Sequence, residues 1–206
     1  MRKIVKGNEP KKLSQWKRRH PNGCYQNLSR VERQAIRQAC LEEQYYVCAY
    51  CCYRIDEENS HNEHIQPQHV APNQTLDFHN IVASCNKSKQ CGEAHEAKVI
   101  PLTPLMDECE TELKFYLSGK VKGITKRATD TINLLNLGDG NKALINKRKQ
   151  LVDALIFGCG ASPDDLQLLD DEPLKIIMEE LSQPQDGQLL AFAPILQNIL
   201  CQLLQK

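Results

Sequence analysis

Apolar residues recur at helical spacing in two parts of this chain and lose that spacing in between. Ser29-Arg30-Val31-Glu32 is a capping box, and apolar positions at Val31, Ala35, Ala39 and Leu41 continue it into a predicted helix. That helix delivers the chain to Cys48. Between residues 48 and 98 only short β-like runs occur, at 47–48, 53–55 and 81–83, separated by polar loops. From Pro101 onward the helical period returns. Helices are predicted over 105–117, 125–137 and 141–157, closed by Gly119, Gly138 and Gly158-Cys159-Gly160. Ser162-Pro163 reads as an N-cap with proline at the first helical position, and LKIIMEEL follows Pro173. The last apolar segment sets Leu189, Phe192, Leu196, Ile199, Leu200 and Leu203 along one stripe, with Pro194 as a kink or a helix start.

The pattern predicts an α+β protein, mostly helical, in three parts. Residues 1–44 form a basic arm and a leading helix, with Trp16 as the arm's only large anchor. Residues 45–100 form a small core, and 101–206 a helical region. The middle part carries little apolar material for its length, so it needs a structural metal to fold.

The 206 residues have a formal net charge of zero, but the charges are segregated. Residues 1–37 hold eleven Lys/Arg against Glu9 and Glu32, whereas 153–186 hold nine acids against Lys175. A surface attractive to phosphates at one end and an acidic one at the other follow from that split. No apolar run is long enough for a bilayer, and the N-terminus lacks the apolar core of a secretory signal. A cytoplasmic, reduced setting and no membrane partner are expected, so close cysteine pairs read as metal ligands rather than disulfides.

Cys48-x-x-Cys51 can fold as a knuckle with both sulfurs on one ion, and Cys85 and Cys91 can complete a tetrahedral four-thiolate Zn2+ site. Such a zinc has no open position and is structural. Cys52 is an adjacent spare. Cys24, Cys40, Cys109, Cys159 and Cys201 read as ordinary thiols. Inside the thiolate bracket, Glu63-His64 is followed by Asn80 and then Cys85. On an extended strand neighbouring side chains face opposite ways, so Glu63 and His64 need a bend to meet one ion. Glu63 suits a divalent cation, Mg2+ or Mn2+, and a neutral His64 suits proton abstraction from water. His20, His61, His69 and His79 stand outside this set.

The stretches CAYC, NEHIQPQ, HNIVASC and CGEAHEAK, in that order, resemble the HNH endonuclease family over roughly residues 45–98. The resemblance implies a ββα-metal core, with Glu63-His64 on the first strand, Asn80 at the second and a last metal ligand on the helix. It implies His64 as general base, Glu63 as cation ligand, and Asn80 as the amide that orients the loop carrying His64. The final ligand departs from the family pattern: Gly92 follows Cys91 where His or Asn is usual. Either His95, three residues on from Gly92, or Asn86, directly after Cys85, can fill the place. MRKIVKGNEPKKLSQW and ATDTINLLNLGDGNKALINKR extend the likeness to the PtuB-like HNH nuclease subunits of Septu-type and retron-associated antiphage defence systems. That likeness implies cleavage of nucleic acid, DNA or RNA, beside a controlling ABC/SMC-like ATPase, for which the terminal apolar stripe offers a docking place. A non-catalytic zinc-knuckle adaptor, binding nucleic acid or the ATPase, would keep the cysteines without needing Glu63, His64 or Asn80.

Overall fold

The computed structural model describes all residues except 159, 163, 168, 169, 205 and 206. Its centre is an antiparallel hairpin, β1 (Ser60–His64) and β2 (Ile81–Cys85), in which Glu63 lies opposite Val82 and His64 opposite Ile81. Helices α1 (Lys11–Arg19) and α2 (Arg30–Glu43) precede it, and the short α3 (Gly92–His95) follows. The predicted capping box starts α2: the Ser29 hydroxyl accepts from Val31 N–H and the Glu32 carboxylate from Ser29 N–H. Gln44 then fastens this helix to β2, accepting from Ala83 N–H at 2.7 Å and donating to the Ala83 carbonyl at 2.9 Å.

The remainder is a hairpin of β3 (Leu113–Phe115) and β4 (Val121–Gly123), then α4 (Lys126–Leu134), α5 (Lys142–Gly158), α6 (Asp171–Ser182) and α7 (Ala193–Leu203). Thr125 caps α4 by accepting from Ala128 N–H. Helix α6 opens two residues before Pro173, whose missing N–H costs nothing in the first turn. Cys159 and Pro163, named above as terminator and helix start, lie outside the described residues. No helix among the described residues is long and apolar enough to cross a membrane.

Four expectations need correction. Trp16 is not the N-terminal arm's only large anchor: Met1, Ile4 and Leu13 are buried too, and Ile4 N–H donates to the Pro104 carbonyl. Lys6 is drawn inside because Glu43 neutralises it at 2.7 Å, the Ile81 carbonyl accepts from it, and the Phe78 ring lies 3.6 Å away. The helix expected over 105–117 is instead a single 3-10 turn (Asp107–Cys109) followed by strand β3. Leu113 and Phe115 are buried while Lys114 between them is exposed, a period of two, and Gly119 at φ +79° turns the chain into β4. The run at 53–55 forms only an isolated bridge, Val47 to Arg54. Finally, Leu189, Phe192, Leu196, Ile199 and Leu200 are buried within the chain's own core, leaving only Leu203 half-buried. The terminal stripe packs on this chain and is not a free docking face.

Candidate metal centres and acid–imidazole cluster

Two knuckles bring four sulfurs together. Cys48 and Cys51 lie in the turn after α2, Cys85 ends β2, and Cys91 precedes α3. All four are buried, and their Sγ atoms lie within 4.8 Å of one another. A tetrahedral zinc with Zn–S bonds of about 2.3 Å needs sulfurs roughly 3.8 Å apart, so the donor set and its spacing fit. Donors approach the sulfurs as they would thiolates: Cys85 N–H reaches Cys48 Sγ at 3.4 Å, and the Gln90 amide reaches Cys85 and Cys91 Sγ at 3.8 and 3.7 Å. Burial opposes ionisation of Cys48, yet contacts from Cys51, Cys85 and Cys91 outweigh it and hold that thiol well below its usual range. Cys52 and Cys91 hold positive φ angles of 61° and 55°, strained for non-glycine residues and tolerated where the surroundings fix them. Cys91 N–H is tied to the Leu135 carbonyl at 2.9 Å, so the end of α4 braces the second knuckle.

The alternation of β1 sorts the other candidates. His61 and Glu63 face α3; Asn62 and His64 face the opposite side. On the α3 side His95 Nε2 is in hydrogen-bond contact with Glu63 Oε1, and His61 Nε2 lies 2.9 Å from Glu63 Oε2. Gly92, which opens α3, makes this approach possible, because a side chain there would overlap both Glu63 and His61. His61 is the residue that sequence reasoning placed outside the site. Its position two residues before Glu63 on a strand, hence on the same face, was the available signal.

The tautomers of these two histidines are fixed by their second contacts. His95 Nδ1 faces the Lys98 carbonyl at 2.9 Å, which can only accept, so Nδ1 carries the proton. Asn86 donates its amide to the Glu58 and Ser60 carbonyls and presents Oδ1 to His61 Nδ1 at 2.8 Å, with the same consequence. Each neutral ring therefore turns an Nε2 lone pair toward a carboxylate oxygen. Lone pair against lone pair is repulsive unless a cation or a proton lies between. Burial lowers and the Glu63 carboxylate raises the pKa of each ring, and the net shift is upward for both. Burial pushes Glu63 up, but its close contacts with the His61 and His95 rings overcome that and keep it below its ordinary value. Tyr50 adds a further sign: its ring lies edge-on to His95 at 6.3 Å, and its hydroxyl is buried without a partner. Glu63, His61 and His95 thus form an acid–imidazole cluster whose two rings are oriented by outer contacts, while among the described residues only the four cysteines bring all their ligand atoms within 4.8 Å of one another. Asn86, the alternative to His95, meets Glu63 only through His61.

On the other face His64 is buried, with Nε2 donating to the Thr75 carbonyl at 3.0 Å and Nδ1 accepting from the Gln68 amide at 3.2 Å. Burial lowers its pKa, so the ring is neutral at pH 7. Tyr25 packs edge-on against it at 4.7 Å. Asn80, just before β2, clamps the loop after His64: its Oδ1 accepts from Gln66 N–H at 2.8 Å, and its Nδ2 donates to the Gln66 carbonyl at 3.1 Å.

Fold and site together define a mixed α/β protein in which a cysteine-stapled hairpin and short helix present an acid–imidazole cluster. No family model matches the chain. It is similar to the Septu protein PtuB of Bacillus thuringiensis, at 27% identity over 138 residues covering 65% of this chain and 53% of that protein. The relationship is PtuB-like, and the chain spans about half the length of the curated relative it matches.

Proposed function

We propose that this chain is a metal-dependent HNH-type endonuclease, acting on nucleic acid as the effector of a Septu-like antiphage defence system under an ABC/SMC-like ATPase partner. The observation that carries the reading is Glu63 set between His61 and His95 on one side of β1, with a neutral His64 on the other side. The PtuB likeness supports the defence role and, with it, the partner.

Glu63, His61 and His95 are the residues that would hold Mg2+ or Mn2+. Such an ion, when bound, stabilises the charge that grows on a phosphodiester and its leaving oxygen. Donation from Nε2 to Thr75 makes His64 Nδ1 the nitrogen that takes a proton from water, once the hydrogen bond it accepts from the Gln68 amide gives way. The oxygen of that water bonds to phosphorus as the bond to the leaving oxygen breaks, and the leaving oxygen takes a proton from solvent. Asn80 keeps the 65–66 backbone in place and so the position of His64. The four cysteines would hold Zn2+ as a structural staple with no open coordination position.

The experiment is incubation of the full chain, with and without its ATPase, with plasmid, single-stranded DNA and total RNA in Mg2+ or Mn2+. Cleavage is expected, lost with EDTA and reduced at least about 100-fold in His64→Ala. Cleavage that persists in both controls, or is absent under every condition while nucleic acid is still bound, would leave the non-catalytic adaptor as the better reading.

A further inference from the structure

Among the cavities outside the cluster just described, one is lined by three arginines. It is a cleft of about 560 Å³ lined by Arg30, Arg33, Gln34 and Arg37 of α2 together with Leu28, Glu57 and Glu58. We infer that this cleft is a binding site for consecutive backbone phosphates of a nucleic-acid strand, seated on the His64 side of the hairpin. The inference rests on the nuclease reading above and adds to it the surface that positions the strand.

Arg30, Arg33 and Arg37 are spaced i, i+3 and i+7, which places them on one face of α2. At 1.5 Å per residue they span about 10 Å along the helix axis. Three cations along one helix face present a row of positive charge to a phosphate backbone. None of the three has a carboxylate within ion-pair distance among the described residues. Yet two acids line the same cleft. Glu57 and Glu58 contribute their carbonyls to the structure, to Arg37 at 2.9 Å and to Asn86 at 3.4 Å, while both residues are exposed at the rim. The Nε atoms of Arg33 and Arg37 are buried with no acceptor at all. Arg33 otherwise donates to the Tyr25 and Gln26 carbonyls and Arg37 to that of Glu57, so neither guanidinium has an anionic acceptor, and a phosphate supplies one in the geometry guanidinium groups prefer.

Position decides the kind of anion. The Arg33 guanidinium stacks over the Tyr25 ring at 5.1 Å, and that ring meets His64 at 4.7 Å. Asn62, on the His64 face of β1, donates to both the Tyr25 hydroxyl and the Arg33 carbonyl. The cleft is therefore one aromatic ring away from the proposed general base. A strand whose phosphates occupied it would run past His64.

The test is binding of a fluorescent oligonucleotide duplex to the full chain by anisotropy over a salt series. It compares wild type, Arg30→Gln/Arg37→Gln, Glu63→Gln and the acidic-face control Lys175→Gln. The double variant is expected to bind at least about tenfold more weakly at low salt. Its slope of log K against log salt should fall by about 1.8, near 0.9 per lost phosphate contact. Lys175→Gln and Glu63→Gln should keep the wild-type slope. Should the double variant prove misfolded by circular dichroism, Arg30→Glu alone, at an exposed position, is expected to lose affinity and slope in the same direction. An unchanged slope in these arginine variants, or no binding by the wild-type chain, overturns the cleft. Loss of cleavage in Glu63→Gln with binding intact separates failure of this site from failure of the nuclease reading.

Discussion

A Cβ on Gly92 would stand 2.5 Å from Glu63 Oε2 and 2.7 Å from His61 Nε2. The first residue of α3 is thus small because the cluster on β1 lies directly beneath it. Gly92→Ala is expected to push Glu63 away from the imidazoles at a cost of about 1–3 kcal/mol. Calorimetric titration with Mn2+ should show at least about tenfold weaker binding, while zinc content, read by elemental analysis, stays at the wild-type level.

Cys48→Ser removes one of four buried sulfurs and leaves three without a closed site. The two knuckles and β2 meet around these sulfurs inside the common core, so metal binding and folding are linked there. The expected result is loss of bound zinc together with loss of the cooperative thermal transition. A wild-type melting curve with full zinc occupancy in Cys48→Ser would remove the staple from the account.

Arg148 is fully buried and donates to the Gly119 carbonyl at 2.6 Å, with Phe115 under its guanidinium at 5.2 Å. Among the described residues it has no carboxylate partner, and burial pushes its pKa down from the ordinary arginine value, with the nearby Cys51, Cys52 and Cys91 only partly opposing that. Arg148→Ala should destabilise the fold by about 3 kcal/mol, through a cavity and an unpaired carbonyl. Denaturant unfolding measures that loss, and zinc release to a chromogenic chelator should also be faster than in wild type.

Burial pushes the Cys40 and Cys109 thiols up to about 12. In the unfolded chain a thiol ionises near pH 8.5. Above that value the unfolded state has lost protons that the native state retains, so stability falls with rising pH. The contribution is present in full below about pH 8.5 and is lost progressively toward 12. Chemical denaturation across this window should show the decline, and Cys40→Ala should flatten it. At pH 8 an alkylating reagent should label exposed Cys201 in the native protein and spare Cys40 and Cys109.

The sequence by itself determined the features that depend on local spacing. The Ser29–Glu32 capping box, the helix predicted from residue 125 and the helix start that Pro194 allows are short-range signals, and the structure contains each. Cys48-x-x-Cys51 with Cys85 and Cys91 was legible because soft ligands in close pairs have few other uses in a reduced chain. Only the tertiary structure decided which side chains share a face and which face is covered. His61 enters the cluster because β1 alternates, and that alternation acquires meaning only once α3 is laid over one side. The segment 105–117 carries a pattern compatible with either period. Packing of α7 settles it as a strand, with Asn198 accepting from Phe115 N–H and donating to the Leu113 carbonyl. Burial of the terminal stripe and capture of Lys6 by Glu43 are likewise long-range events. Spacing along the chain fixes what each segment can form, but burial is a property of what packs against it, and no local pattern encodes that.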